Sequence, residues 1–350
     1  MLLKLNQIIL FSLWAFFLAL ILYPIYIKLL IKLKAGKTIR ENDATGQESK
    51  IFTSLHQHKA WTPNMGWWLF LVIMLIMIWV SYILKAKWIT NYSIVTRQET
   101  YIILFGFFSM WLLGFLDDFL NILWFGKVKW LSAKTKLIWM FIFAWFISRR
   151  FYYKIWSQSI NLRPFTWEIN FWIFYPIITF FLTVWIVNAI NITDWLDWQA
   201  WWLMIMILLM FWIVSFYRWT YLTTAIIWII IAILLAFLWF NINPAKIFMW
   251  DSWAYALGWF ISSLIYLLNI DVWIIIPFFL VFLIFIVNTW SSGLQIIWKK
   301  IFHKKLFPVA PLHHYYEHKW IKETTIVMKA RLIQWVLATI ALILMFYQFN

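Results

Sequence analysis

Residues Leu222–Phe240 read LTTAIIWIIIAILLAFLWF, and no charged residue interrupts them. A bilayer core of about 30 Å needs about 20 apolar residues in a helix, so this stretch is long enough to cross a membrane. The apolar run is continuous rather than alternating, which argues against a barrel strand. Similar windows recur along the whole chain, near 8–33, 67–84, 101–117, 136–149, 171–190, 200–216, 222–240, 253–269, 272–293 and 328–348. They predict an all-α polytopic membrane protein of about ten transmembrane helices, in a single domain covering 1–350. Composition agrees: 65% of the residues are hydrophobic and 12% charged, against roughly 25% charged in an average soluble domain. The first window, Ile8–Leu30, is too long for a signal-peptide core and lacks a small-residue cleavage site, so a retained span is expected.

Alternating directions place the loops 34–66, 118–135, 191–199, 241–252 and 294–327 on one side. With the adjoining helix ends, that side carries about two of every three Lys and Arg residues. The positive-inside rule makes it cytoplasmic and puts both termini outside. The net charge of +16 has the same origin. Basic loops facing anionic lipid account for it, and no soluble basic domain exists to make nucleic acid a partner. Cysteine is absent, which removes disulfides and thiolate metal sites. The segment Arg149–Glu168 is the longest external loop and has room for a small hairpin or surface helix.

Five polar clusters all fall on the inferred cytoplasmic side. Gly114-Phe115-Leu116-Asp117-Asp118 ends the third window. Adjacent carboxylates at a membrane boundary are costly unless they bind a cation or react. Their oxygens suit Mg²⁺, which binds one or two carboxylates plus substrate phosphates; a solvated helix end is the competing reading. Asn188 to Asp197 brings Asn188, Asn191, Asp194 and Asp197 to the exit of the fifth window with no local basic partner. Such residues cap helices or bond a polar ligand such as a nucleoside. Asn243 to Asp251 joins a lone Lys246, Phe248 and an isolated acid. Pro311 to Lys319 holds His313, His314 and His318, whose spacing does not fit a helical zinc site. His58 to Gly66 is a short basic loop that includes Lys59 and Thr62. Carboxylates for a hard cation, basic groups for phosphates and amides for a base describe phosphoryl transfer involving a membrane lipid. A transporter would instead bury its acids near the midplane on broken helices.

In order, these clusters resemble the motifs of the phospho-N-acetylmuramoyl-pentapeptide-transferase family. Its K-x-G-T-P-x-M-G-G is similar to Lys59–Trp67, its G-x-x-D-D to Gly114–Asp118, and its lysine-rich stretch to Lys127–Lys136. Its N-A-x-N-L-T-D-G-L-D-G resembles Asn188–Trp198, its N-P-A-K-x-F-M-G-D resembles Asn243–Asp251, and its P-L-H-H-H-F-E-x-K-G resembles Pro311–Trp320. The resemblance implies transfer of phospho-N-acetylmuramoyl-pentapeptide from UDP-N-acetylmuramoyl-pentapeptide to undecaprenyl phosphate, with release of UMP, in the bacterial inner membrane. A hexosamine-1-phosphate transferase on the same fold is the alternative. By resemblance, Asp251 ligates Mg²⁺ with Asp117 and Asp118 nearby, and one of the pair serves as base or nucleophile. His313 and His314 sit at the phosphates. Lys59, Thr62, Asn188, Asn191, Asp194, Asp197, Asn243 and Phe248 bind substrate, Phe248 stacking on uracil. A homodimer is the implied assembly.

The chain departs from the family pattern in two ways. Tyr315 replaces the third His and Asn121 replaces a Lys after the paired Asp. More generally, Trp stands where the family has Gly at positions 61, 67, 195, 198, 201, 202, 250, 253 and 320. The chain has 31 Trp and 8 Gly. One residue type replaced by one other points to a codon, UGA, read as glycine by the native host and written here as Trp. That reading expects crowding between Asp194 and Trp202.

Overall fold

The structure is a computed structural model. It describes residues 2–36, 57–90, 93–123, 159–161, 168–249, 251–269 and 274–347, with scattered positions between 135 and 149. Its helices are α1 (Leu2–Lys32), α2 (Gly66–Ala86), α3 (Gln98–Leu123), α4 (Tyr175–Thr193), α5 (Gln199–Tyr217), α6 (Tyr221–Asn241), α7 (Asp251–Leu268), α8 (Ile275–Val281), α9 (Leu283–Phe302), α10 (Leu312–His318) and α11 (Glu323–Tyr347). Two three-residue strands, Ser159–Asn161 and Glu168–Asn170, pair antiparallel. They lie in the segment expected from the sequence to be an external loop with room for a small hairpin.

Six helices are long and apolar enough to cross a membrane, or seven if the bent pair α8–α9 counts as one span. The ten expected windows map onto these unevenly. Within α3 and α7 the apolar cores, Thr100–Leu116 and Ser252–Leu268, are shorter. Half of the window 136–149 lies outside the described residues, and the described half is helical. The window 272–293 is not one straight helix, because α8 and α9 meet at Phe282 with a 70° bend. A break in a membrane helix frees backbone groups that a neighbour must satisfy. Here the buried Gln334 side chain of α11 donates to the Val281 carbonyl at 2.6 Å.

Burial separates core from lipid-facing helices. In α6, 72% of the apolar window is buried, whereas the figure is 28% in α1 and 22% in α11. Large residues such as Trp14, Phe17 and Ile21 on α1, and Leu332, Val336 and Ile343 on α11, are exposed along the helix. An apolar surface of that extent fits a bilayer rather than water. The chain is therefore a multi-pass membrane protein.

Packing converges on α7, which lies against α3 and α4, while α1 lies against α6 and α2. The α4–α7 seam is polar within. Thr183 Oγ1 and Tyr266 OH are 2.7 Å apart, and the same hydroxyl donates to the Thr179 carbonyl. The helices come together at glycines. A Cβ on Gly258 would meet the Val187 Cα at 2.8 Å, and one on Gly114 would meet the Ser252 Cα at 2.1 Å. On the other side of the bundle, Tyr26 OH of α1 donates to the Met65 carbonyl at 3.0 Å and Tyr23 OH to that of Gly66 at 3.3 Å, anchoring the start of α2.

Gly114→Ala forces α3 and α7 apart, since the obstacle is backbone rather than a movable side chain. Overpacking of this kind costs about 1–3 kcal/mol. A lower Tm in detergent for this variant, beside an unchanged Tm for Gly293→Ala, where a Cβ meets nothing within 4 Å, is the expected result.

Candidate active site

Lys59 is the hub. Its Nζ lies 2.8 Å from Asp197 Oδ1 and 2.7 Å from Glu323 Oε1, and all three side chains are at least nine-tenths buried. The ammonium thus joins the loop ahead of α2, the α4–α5 loop and the first residue of α11. Glu323 Oε1 also accepts from the Asp197 backbone N–H. The other oxygen of Asp197, Oδ2, accepts from Asn243 Nδ2 at 2.9 Å and from the Ala245 N–H at 3.2 Å, which adds the α6–α7 loop. Asn241 secures the same corner by accepting from the Trp198 N–H at 2.9 Å and donating to the Ile247 carbonyl at 2.8 Å.

Backbone pairing ties the loops a second time. The Phe248 N–H donates to the Pro63 carbonyl at 2.8 Å, and the Gly66 N–H donates to the Phe248 carbonyl at 2.9 Å. Thr62 sits half-buried inside this turn, with its N–H on the Lys59 carbonyl at 3.3 Å. The α10 turn approaches from the opposite side. His313 and His314 are buried, His314 Nδ1 is 2.6 Å from Glu317 Oε2, and the His314 ring lies 6.1 Å from that of Trp195. Between α10 and the triad, an open cavity of about 390 Å³ is lined by Asn243, Glu317, Ile321, Lys322 and Glu323. Ligand clefts fall in the same size range.

The acidic pair enters through the Gly114–Ser252 contact. Asp117 is about one helical turn beyond Gly114 on α3, and Asp251, the first residue of α7, adjoins Ser252. The close approach therefore brings the two acidic helix ends to the same end of the bundle. The side chains of Asp117, Asp118 and Asp251 lie outside the described residues, as does Trp250. Among the described residues no group of three His, Asp or Glu is arranged to hold a metal ion.

This geometry brings the loops of four clusters together and places the acidic end of α3 at the same end of the bundle, and comparison with known proteins gives the chain a family. The profile of glycosyl transferase family 4 matches residues 100–269. The phospho-N-acetylmuramoyl-pentapeptide-transferase of Clostridium perfringens strain 13 is 32% identical over 328 residues, covering 93% of this chain and 95% of that one. The chain belongs to the phospho-N-acetylmuramoyl-pentapeptide-transferase family. The enzymes of that name from Thermoanaerobacter sp. strain X514 and Clostridium acetobutylicum are each 30% identical, the first over 99% of this chain and all of that one, the second over 91% and 92%.

Within the family framework, the residues singled out in the sequence divide by placement. Lys59, Asp197 and Asn243 are directly bonded to one another's network. Asp194 caps α4, its N–H on the Ile190 carbonyl at 3.1 Å, and is half-buried near them. Asn191, in the last turn of α4, and Phe248, on the α6–α7 loop, are also half-buried. Asn188 turns inward along its own helix, donating to the Val184 carbonyl at 2.8 Å. Sequence reading did not single out Glu323, Asn241 or Glu317. Glu323 is the acid that opens an apolar helix, a position the helix dipole alone accounts for, so nothing local marked it as a partner of Lys59.

Burial opposes the Lys59 charge, but Glu323 and Asp197 outweigh it, and its pKa rises above the ordinary 10.5. A raised pKa means that the stability Lys59 contributes by its charge is fully present on its own titration below pH 10.5 and is lost as pH climbs through the higher folded value. Removing the cation strands two buried carboxylates, so Lys59→Met costs about 3–5 kcal/mol at neutral pH. Thermal unfolding across a pH series checks both points, because the gap between wild type and variant should narrow above pH 10.5.

Proposed function

We propose that the chain transfers phospho-N-acetylmuramoyl-pentapeptide from UDP-N-acetylmuramoyl-pentapeptide to undecaprenyl phosphate, releasing UMP. The observation that carries this reading is the near-full-length match to the Clostridium perfringens enzyme, 93% of this chain against 95% of that one. Convergence of the five polar clusters supports the assignment of the site.

In this reading the protein crosses the bacterial inner membrane ten times, both termini lie outside, and the site faces the cytoplasm. Two copies form a homodimer. The Lys59–Asp197–Glu323 network holds the loops that receive the uridine nucleotide, with Asp194, Asn191, Asn243 and Thr62 offering polar contacts and Phe248 an aromatic face. Asn188, bonded to its own helix, shapes the exit of α4. His313 and His314 stand where the sugar diphosphate enters, His314 oriented by Glu317.

Asp251, Asp117 and Asp118 supply hard oxygen donors of the kind Mg²⁺ prefers, and the Gly114–Ser252 approach is compatible with their sharing an ion. Held by these carboxylates, Mg²⁺ would supply positive charge that offsets the charge developing on the departing UMP. The buried network, with Lys59 kept charged between its two acids, fixes the loops at the nucleotide end and keeps water out of them. One carboxylate of the Asp117–Asp118 pair takes the proton of the lipid phosphate, whose oxygen then displaces UMP at the sugar-linked phosphorus, or itself displaces UMP there and is displaced in turn by the lipid phosphate.

The test is UMP release from UDP-N-acetylmuramoyl-pentapeptide with undecaprenyl phosphate, with and without Mg²⁺. Release that needs both lipid and metal is expected, as is its loss in Asp251→Ala. Full activity in that variant would sink the site assignment. Release only with UDP-N-acetylglucosamine would move the chain to the hexosamine branch.

Glu323→Gln separates ion pairing from mere space filling. It keeps the shape but removes one of the two charges that hold Lys59, so a KM for the nucleotide raised about tenfold, corresponding to about 1.4 kcal/mol, with a smaller change in kcat, is expected. Steady-state kinetics over a nucleotide series reads the split.

A further inference from the structure

We infer that tryptophans well beyond the family motifs are glycine in the functional protein, and that backbone geometry marks which ones. Nine non-glycine residues among those described have positive φ, and six are Trp: Trp61 (68°), Trp88 (60°), Trp172 (49°), Trp198 (56°), Trp219 (60°) and Trp320 (62°). Left-handed backbone is glycine's region, and a bulky side chain there is an outlier. The usual distribution is inverted, because none of the six described glycines has a positive φ. Trp88, Trp172 and Trp219 lie in no motif, so this observation is independent of any resemblance.

Three of the six occupy a place with a known residue preference. At the end of α2, Trp88 N–H donates to the Lys85 carbonyl and Ile89 N–H to that of Leu84, at 3.0 and 2.9 Å. At the end of α5, Trp219 bonds Phe216 and Thr220 bonds Ser215, both at 3.1 Å. At the end of α10, Trp320 bonds Glu317 at 2.8 Å and Ile321 bonds Tyr316 at 3.2 Å. Each is a complete Schellman motif with the left-handed residue just past the cap, the position at which helices most often place glycine.

Side-chain chemistry gives the same answer. The buried indole N–H groups of Trp67, Trp111, Trp202, Trp212, Trp253 and Trp259 have no acceptor among the described residues, nor does that of Trp198. Buried Trp normally finds a partner for that group. The Trp253 and Phe70 ring centres are 3.7 Å apart at 50°, closer than the 4.5–7 Å of ordinary aromatic pairs. In the loop expected to be crowded, Arg331 is covered by the Trp202 and Trp198 rings, at 3.7 and 4.9 Å. A deficit of Gly and an excess of Trp, with Trp filling glycine's backbone positions, has one economical source: a single codon, UGA, translated as glycine by the host. At the site, the exchange clears the indole of Trp320, 91% exposed at the cavity wall.

Sequencing the gene and its peptides decides it. UGA codons at positions 61, 88, 172, 198, 219 and 320, with glycine there by tandem mass spectrometry of protein from the native host, are expected. UGG codons or tryptophan at Trp88, Trp172 and Trp219 would overturn the inference. Expression supplies a second measurement on the full chain: the form with all six changed to glycine should unfold several degrees higher in detergent than the literal chain, and an equal or lower Tm would overturn the backbone argument. Neither readout depends on the reaction, so failure of the proposed activity leaves them interpretable.

Discussion

One ammonium group organises the polar end of the molecule. Lys59 lies between Asp197 and Glu323, out of water, and through those two carboxylates it joins the loop ahead of α2, the α4–α5 loop and the start of α11. A buried ion network is weak evidence for net stability, because desolvation offsets much of the attraction. Its effect is on geometry. With one cation between two acids, removing Lys59 would leave two buried carboxylates facing each other, so loops that would otherwise wander over a membrane surface are held in a single arrangement. Asp197 accepts again through its second oxygen, and the α6–α7 loop inherits the same constraint.

Close packing supplies the remaining constraint. α7 is flanked on two sides by backbone rather than by side chains, against Gly114 on α3 and the Val187 segment on α4. Membrane helices have little hydrophobic drive to associate within lipid, and close approach at small residues takes its place. The Thr179–Thr183–Tyr266 contacts add polar bonds where the bilayer offers none. Both acidic helix ends are placed by this seam, so loop geometry and helix packing set two halves of one site.

Much of this was legible in the chain. The run from Leu222 to Phe240 became α6, and the motif at Asn243–Asp251 led directly into α7. The bend at Phe282 was not legible. The run 272–293 is apolar throughout, and Pro277 falls in the first turn of α8, where proline is tolerated and marks no break. What stabilises the bend is Gln334, on a helix that begins far along the chain. Lys59 posed the same difficulty, since its partner Glu323 is 264 residues away. Local patterns report turns and spans; pairings across the fold depend on tertiary arrangement. For Asn188, sequence supplied the residue type, but its own helix took up the amide.

α11 joins two environments. Its apolar length is mostly uncovered, yet its first residue is among the least accessible carboxylates of the polar end. A helix with one end fixed in the site and its shaft in lipid acts as a lever. Lateral pressure, bilayer thickness and the tilt they impose all bear on the shaft and are felt at its pivot, next to Lys59. The composition of the membrane is in this sense part of the architecture that shapes the pocket.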